Sequence, residues 1–312
     1  MITIYQTSIR LICTLLCLIV AGGCETIKSH YAAPSTPPLG QPVYRLDLSG
    51  QNLTTLPAWL NSSDLSDLRA LDLSGNPNLD LAVTLENICS RAASFNTLLV
   101  AENEMRELPG GLTHCSQLTH LSLAGNPQLD LAEALASLHH LPLKYLNLSN
   151  NNLTELPAQI SQLKHLRDLR LSENKLASRV SFAHLGKLPA LHSLWLDRNG
   201  LTSLPATINQ LQQIKYLFLD HNNLRYLPRE IAAMANLRVL HLTHNEFSEL
   251  PPPLLELPRL LVLFAASNQI RVIDPRFKQA SLKGIVLDNN PLSATQVHAA
   301  RKLFRGFFLF SA

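Results

Sequence analysis

The sequence predicts an α/β solenoid, with a parallel β-sheet on its concave face and short helices or 3-10 turns on its convex face. One observation is a recurring asparagine, spaced 22 to 27 residues apart and most often 23. Another is a fixed leucine pattern around it, as in Leu217, Leu219, Leu224 and Leu227 around Asn222. A constant period of this length indicates stacked repeats. Because each repeat buries its leucines only against its neighbours, we expect one elongated domain with a continuous core. With Gln51 in the first place, the repeating positions are Asn76, Asn103, Asn126, Asn151, Asn174, Asn199, Asn222, Asn245, Asn268 and Asn290.

The pattern L-x-x-L-x-L-x-x-N-x-L resembles the leucine-rich repeat, in the short variety whose second half reads L-P-x-x-I-x-x-L. The copy in residues 214–228 is the clearest, and about eleven copies cover residues 43–292. The resemblance implies a horseshoe-shaped solenoid and says little about a ligand.

The residues within one repeat predict its local structure. Leu217 and Leu219 alternate with Tyr216, Phe218 and Asp220, which is the two-residue period of a strand with its leucines inward. The following asparagine is expected to turn inward and bond backbone groups of neighbouring coils, since a buried amide needs partners. Leucine-proline pairs then open each return segment with a short helical turn.

Some return segments and the end of the chain depart from this pattern. Residues 132–140 read as a longer helical return segment, and the connection 177–188 lacks the leucine-proline pair. After residue 292 the repeats stop, and Ser293 followed by Gln296 predicts the start of a helix. We expect residues 293–312 to form a capping helix and tail. The alternative is a membrane-surface patch of basic and aromatic residues: Arg301, Lys302, Arg305, Phe307, Phe308 and Phe310.

The N-terminus predicts export and a membrane tether. The apolar run 11–21 is too short for a comfortable membrane span and suits the core of a signal peptide over residues 1–23. The ending A-G-G-C resembles a bacterial lipobox, which implies an acylated Cys24 followed by a proline-rich linker over residues 24–42. Glu25 favours the outer membrane over the inner membrane in that family. An ordinary secretory signal and an uncleaved anchor are the alternatives.

Export would leave Cys89 and Cys115 in an oxidising compartment. They occupy nearly matching places in adjacent repeats, 13 and 12 residues after their asparagines. Stacking could bring them close enough for a disulfide, and two buried free thiols remain the alternative.

Composition and motifs argue against an enzyme or a nucleic-acid-binding protein. The formal net charge is +3, from 26 basic and 23 acidic residues, and the basic residues look scattered along the sequence. No nucleophile-base pair, glycine-rich phosphate loop or zinc-type cysteine spacing appears. A metal site built from His221, His241 and His244 with Asp197 and Asp220 is geometrically conceivable, but solvated or partner-facing side chains explain these residues without a metal. We therefore expect no cofactor and no metal.

The outward strand positions point to surface recognition. Four residues before each asparagine, the chain becomes aromatic from Trp195 onward, continuing through Phe218, His241 and Phe264, with Tyr216 alongside. Exposed aromatic groups mark interaction sites. Aromatic residues that merely pack on each other along the sheet are the alternative. We expect a protein or peptide partner here, with Asp197, Asp220 and Arg170 as the polar rim; a glycan or cell-wall ligand is the second hypothesis.

Overall fold

Each repeat contributes one three-residue strand, and the strands stack in chain order into a parallel sheet. The computed structural model describes residues 43–312, in which the sheet is open and runs from β1 to β12 without a crossover. The horseshoe fold predicted from the sequence is confirmed. The strands are β1 Arg45–Asp47, β2 Ala70–Asp72, β3 Thr97–Leu99, β4 His120–Ser122, β5 Tyr145–Asn147, β6 Asp168–Arg170, β7 Ser193–Trp195, β8 Tyr216–Phe218, β9 Val239–His241, β10 Val262–Phe264, β11 Gly284–Val286 and β12 Leu309–Ser311.

Leucines fix the register of the sheet. Leu194, Leu217 and Leu240 are paired across β7, β8 and β9, and all three are fully buried. The outward residues on either side of each leucine are therefore aligned from strand to strand as well. Residues at one repeat position form a straight row across the concave face.

Buried asparagines join the repeats to one another, as the sequence predicts. The Asn222 side-chain amide donates to the backbone oxygens of Leu196 and Leu219 at 3.0 and 2.9 Å. Its oxygen accepts from the backbone N–H groups of Asn199 and Leu201, both at 3.0 Å. Backbone N–H and C=O groups just beyond the strands have no partner in the strand pairing, and the asparagine side chain supplies their hydrogen bonds.

Helices and 3-10 turns cover the convex face. The helices of the return segments are α1 Trp59–Ser62, α2 Leu81–Arg91, α3 Leu131–Leu138 and α4 Arg179–Leu185. The 3-10 turns are Gly110–His114, Ala158–Gln162, Ala206–Gln210, Arg229–Ala233, Pro252–Glu256 and Pro275–Gln279. Pro157, Pro205 and Pro228 lie directly before such turns, as the leucine-proline pairs predict. Two of the longer helices, α2 and α3, are capped by Asp80 and Asp130, whose side chains accept hydrogen bonds from backbone N–H groups of the first turn.

The C-terminal segment caps the array and also extends the sheet. Helix α5 spans Ala294–Leu303, the Ser293 hydroxyl accepts from the Gln296 backbone N–H, and Ala300 and Phe304 are buried. The sequence predicts only a tail after this helix, whereas the structure has β12 paired in parallel with β11. The reason is that buried Leu309 completes an apolar cluster with Val239 and Val262 on the concave face.

The structure joins Cys89 and Cys115 in a disulfide, which is one of the two alternatives left open by the sequence. Their Cα atoms are 5.0 Å apart, and 26 residues separate them in the chain. Gly111 allows this close approach: a Cβ at that position would lie 2.6 Å from the Ala82 carbonyl oxygen in α2. Helix α2 therefore packs directly against the next return segment.

The predicted signal peptide over 1–23, the acylated Cys24 and the linker over 24–42 lie outside the described residues. Within residues 43–312, no helix is both long and apolar enough to cross a membrane.

Candidate partner-binding site

Five residues on neighbouring strands stack into a continuous row, which we call the aromatic ladder: Arg170, Trp195, Phe218, His241 and Phe264. They occupy the last position of β6 to β10, so the register aligns them. Ring centroids are 4.8 Å apart for Trp195 and Phe218, 4.5 Å for Phe218 and His241, and 4.2 Å for His241 and Phe264. The Arg170 guanidinium lies 5.1 Å from the Trp195 ring centroid.

The stacking spacing follows from the sheet. Neighbouring strands lie about 4.8 Å apart, which is also a favourable distance between stacked rings. The ring faces therefore cover one another across the strands. Trp195 is only 7% exposed, so the expectation of an exposed tryptophan is not met. Phe218, His241 and Phe264 remain half-buried.

An apolar strip runs beside the ladder, two residues earlier in each strand. It consists of Tyr216, Val239, Val262 and Leu309, and the partly buried Phe264 and Val286 pack against it. Tyr216 was expected at this site from the sequence, whereas the two valines and Leu309 were not. The signal was available, since the first outward position changes from polar to apolar after Ser193.

Carboxylates border the ladder on its other side. Asp197 accepts hydrogen bonds from the Ser172 hydroxyl at 3.0 Å and from the Asp220 backbone N–H at 3.1 Å. Asp220 accepts from the Thr243 backbone N–H at 2.6 Å, and its other oxygen lies 3.3 Å from Nδ1 of His241. The two carboxylates thus lie in adjacent repeats. They bond to backbone groups that follow the strands, and Asp220 also contacts His241 of the ladder.

Comparison with known proteins agrees with this architecture. The family described as leucine rich repeat matches residues 189–247, and leucine rich repeats (2 copies) matches residues 143–184. Residues 43–312 have the leucine-rich repeat horseshoe fold, and the two matched segments lie within it. Leucine-rich repeat domains generally bind protein partners. Among curated proteins, no sequence matches this chain significantly.

Two solved structures illustrate the likeness. An internalin from Listeria monocytogenes strain 4b F2365 is 18% identical with a TM-score of 0.56, over 79% of this chain and 68% of that chain. At this identity it supports the fold alone. The TLR13–ssRNA13 complex is 28% identical with a TM-score of 0.56, over 70% of this chain. The match spans only 32% of the TLR13 chain.

The histidines considered for a metal site divide between two places in these leucine-rich repeats. His241 belongs to the aromatic ladder and faces Asp220. His221 and His244 stack on each other at 4.3 Å between ring centroids, at positions just before the buried asparagines. Both have a positive φ of 55°, which places them in the left-handed turn that follows each strand. Among residues 43–312, no three metal-ligating side chains are grouped so that they could hold an ion.

The Asp197 carboxyl group has an unusual protonation equilibrium. Burial, and then the nearby charge of Asp220, raise the pKa of Asp197 to about 6. Hydrogen bonds from Ser172 and the Asp220 backbone oppose this rise. Because the folded-state pKa lies above the ordinary value of 3.8, the folded protein binds this proton more tightly than the unfolded chain does. The resulting penalty on folding is fully present above pH 6 and fades as the pH falls towards 4.

We expect Asp197→Asn to stabilise the protein at pH 7.5 by on the order of 2 kcal/mol, since the neutral amide carries no penalty for a buried charge. The gain should shrink as the pH is lowered through 6. Urea denaturation of both proteins at pH 7.5, 6 and 4.5 measures the difference. A gain that is equal at all three pH values would contradict the raised pKa.

Proposed function

We propose that this leucine-rich repeat protein is a membrane-tethered, non-enzymatic binding protein of a bacterial envelope. It recognises a protein or peptide on the concave face between β6 and β12. The observation that carries this proposal is a half-buried apolar patch on the outward side of the sheet, which rests on the buried residues of the ladder and the strip and is bordered by Asp197 and Asp220. The patch consists of Tyr216, Phe218, His241, Phe264 and Val286. Protein interfaces combine aromatic and arginine anchors with a polar rim in the same way.

Ring orientation favours a protein partner over a glycan. A sugar stacks on the open face of an aromatic ring, but the Trp195 ring lies nearly parallel to that of Phe218, at an angle of 3°. The other face of Trp195 carries Arg170. Only ring edges are then left for a ligand, and apolar side chains of a protein pack well against ring edges. The glycan alternative would require the ladder to open.

The disulfide supports the envelope as the compartment. A bond between Cys89 and Cys115 persists in an oxidising environment such as the bacterial periplasm or the cell surface. Lipidation at Cys24 would hold the protein there, with the outer membrane favoured. Mass spectrometry of the mature N-terminus tests this tether, and an unmodified Cys24 would remove it from the proposal.

The hydrogen bonds that the two carboxylates make within the repeats support a non-enzymatic function. Asp197 and Asp220 each accept a hydrogen bond from a backbone N–H of the next repeat, so both have a structural role that needs no substrate. His241 has ring neighbours on both faces, which restricts its movement towards a reacting group.

The test is a crosslinking pull-down from intact cells with the wild-type protein and the double variant Trp195→Ala, Phe218→Ala. We expect a protein partner to be captured by the wild type and lost with the variant, because the centre of the ladder is removed. The matched control is His120→Ala with Tyr145→Ala, which removes a stacked pair of rings on β4 and β5. Circular dichroism establishes that all variants are folded.

Equal capture by the double variant and the wild type would exclude the ladder as the site. Sedimentation with purified peptidoglycan is run in parallel. If the wild type binds peptidoglycan, and the double variant does not, the glycan hypothesis replaces the protein hypothesis.

A further inference from the structure

A second row of residues runs along the edge of the sheet where the strands begin. We call it the edge row, and it holds the residue directly before each strand. From β1 to β12 these residues are Tyr44, Arg69, Asn96, Thr119, Lys144, Arg167, His192, Lys215, Arg238, Leu261, Lys283 and Phe308. None of them is acidic. Six of the 26 Lys and Arg residues, which look scattered along the sequence, are aligned here by the fold.

Backbone hydrogen bonds hold the edge row together. The N–H of each member donates to the carbonyl oxygen of the preceding member, from Arg69 to Tyr44 at one end to Phe308 to Lys283 at the other, at 2.7 to 3.0 Å. Neighbouring members are therefore one strand spacing apart, and the row is roughly 50 Å long. Lys144, Arg167, Arg238 and Lys283 are exposed, while His192 and Lys215 are half-buried.

The two edges of the sheet differ in charge. The segments leading into β5 to β11 contain eight Lys or Arg residues and no Asp or Glu: Lys144, Lys164, Arg167, Lys187, Lys215, Arg238, Arg259 and Lys283. The segments directly after the same strands carry charges of both signs. Their acidic residues are Glu155, Glu173, Asp197, Asp220, Glu246, Glu249, Asp274 and Asp288, and their basic residues are Lys175, Arg198, Arg225 and Arg271. An excess of positive charge is therefore found at the edge where the strands begin.

The salt bridges found among the described residues do not use the cations of the edge row, and the carboxyl group that interacts with Arg167 and His192 is that of Asp168. Ion pairs found between residues 43 and 312 use Arg225, Arg229, Arg276 and His241, and none of these belongs to the row. The nearby carboxyl group of Asp168 is half-buried, and burial is the main cause of its raised pKa. Desolvation, followed by the charge of Lys215, lowers the pKa of His192, as expected in a positive field.

Exposed apolar side chains are interspersed with these cations. Tyr44 is 48% exposed, Leu261 41% and Phe308 57%, and all three belong to the edge row. Basic side chains next to exposed aromatic and aliphatic ones are typical of surfaces that lie at the headgroup level of a bilayer. Leu261 offers nothing to stack on a nucleic-acid base, so the mixture favours lipid over a polynucleotide.

We propose that the edge row is a lipid-contacting surface, which lies on anionic phospholipid headgroups. The cations bind the phosphates, and Tyr44, Leu261 and Phe308 enter the interface between headgroups and acyl chains. Val43 leads directly into β1 at this edge, so the described chain begins on the same side. The proposal is independent of the partner site on the concave face and of the lipid at Cys24.

The test is co-sedimentation of the full chain with vesicles of phosphatidylcholine alone or mixed with phosphatidylglycerol at 3:1. Cys24→Ser is present throughout, so that no acyl chain contributes. We expect stronger binding to the anionic vesicles, which weakens with added salt. The row variant carries Lys144→Gln, Arg167→Gln, Lys215→Gln and Arg238→Gln. At about fivefold for each of the four basic residues, its affinity for anionic vesicles should fall on the order of 600-fold.

The control variant carries Lys175→Gln, Arg198→Gln, Arg225→Gln and Arg271→Gln, which removes the same charge from the opposite edge. Its binding should change by no more than a few fold. Equal losses in the two variants, or no preference of the wild type for anionic vesicles, would overturn the proposal. It is also overturned if polyuridylate binds in a row-dependent way while the vesicles do not. None of these results bears on capture of the protein partner.

Discussion

Replacing Asn222 with leucine is expected to lower the free energy of unfolding by about 3 kcal/mol or more. Leucine has a similar volume but makes none of the hydrogen bonds of the amide. The backbone N–H groups of Asn199 and Leu201 and the carbonyl of Leu196 would then be buried without this partner. Each unpaired buried group costs about 1 to 3 kcal/mol. Urea denaturation followed by circular dichroism measures the change.

Asn223→Leu is the matched control for this prediction. Asn223 is the next residue, is exposed, and donates only to the exposed side chain of Glu246 among the side chains described. Its replacement should change stability by no more than about 0.5 kcal/mol. If both variants lost the same small amount, the asparagine ladder could not be what joins the repeats.

Removing the disulfide is expected to destabilise the protein by about 3 kcal/mol. The bond between Cys89 and Cys115 closes a loop of 26 residues in the unfolded chain, and its loss restores the entropy of that loop. The double variant Cys89→Ala, Cys115→Ala tests this by urea denaturation. The repeats from β3 to β4 should be the first to exchange amide hydrogens, because α2 and the following turn are then joined by packing alone.

A reducing agent provides the control for this second prediction. Dithiothreitol should lower the stability of the wild type towards that of the double variant and leave the variant unchanged. If dithiothreitol did not change the stability of the wild type, and the wild type were as stable as the double variant, the two cysteines would be free thiols in solution.

The fold was predictable because each of the recurring positions in the repeat meets a single physical requirement. Leu217 and Leu240 must be apolar to fill the core, and Asn222 must be an amide to pair backbone groups. Such requirements recur in every coil, and a recurring pattern is visible in a single sequence. The return segments were predictable for the same reason, because Pro205 and Pro228 recur directly before the 3-10 turns.

Features that depend on neighbouring coils were harder to predict. The ladder residues were recognised, yet the burial of Trp195 was not, because it depends on the rings that lie over its faces from adjacent strands. Strand β12 is as long as the other strands, but it lies beyond residue 292, where the leucine and asparagine pattern stops. Lys144 and Arg167 are 23 residues apart in the sequence, so their adjacency in the edge row appears only once the register is known.

The central claim is that the aromatic ladder with the apolar strip binds the protein partner. Its most direct test is the affinity of the captured partner for the wild type, for Trp195→Ala with Phe218→Ala, and for His120→Ala with Tyr145→Ala, measured by isothermal titration calorimetry. Loss of two central anchors is expected to weaken binding on the order of 100-fold. The control pair should bind within a few fold of the wild type. An affinity of the Trp195 and Phe218 double variant equal to that of the wild type would contradict the claim.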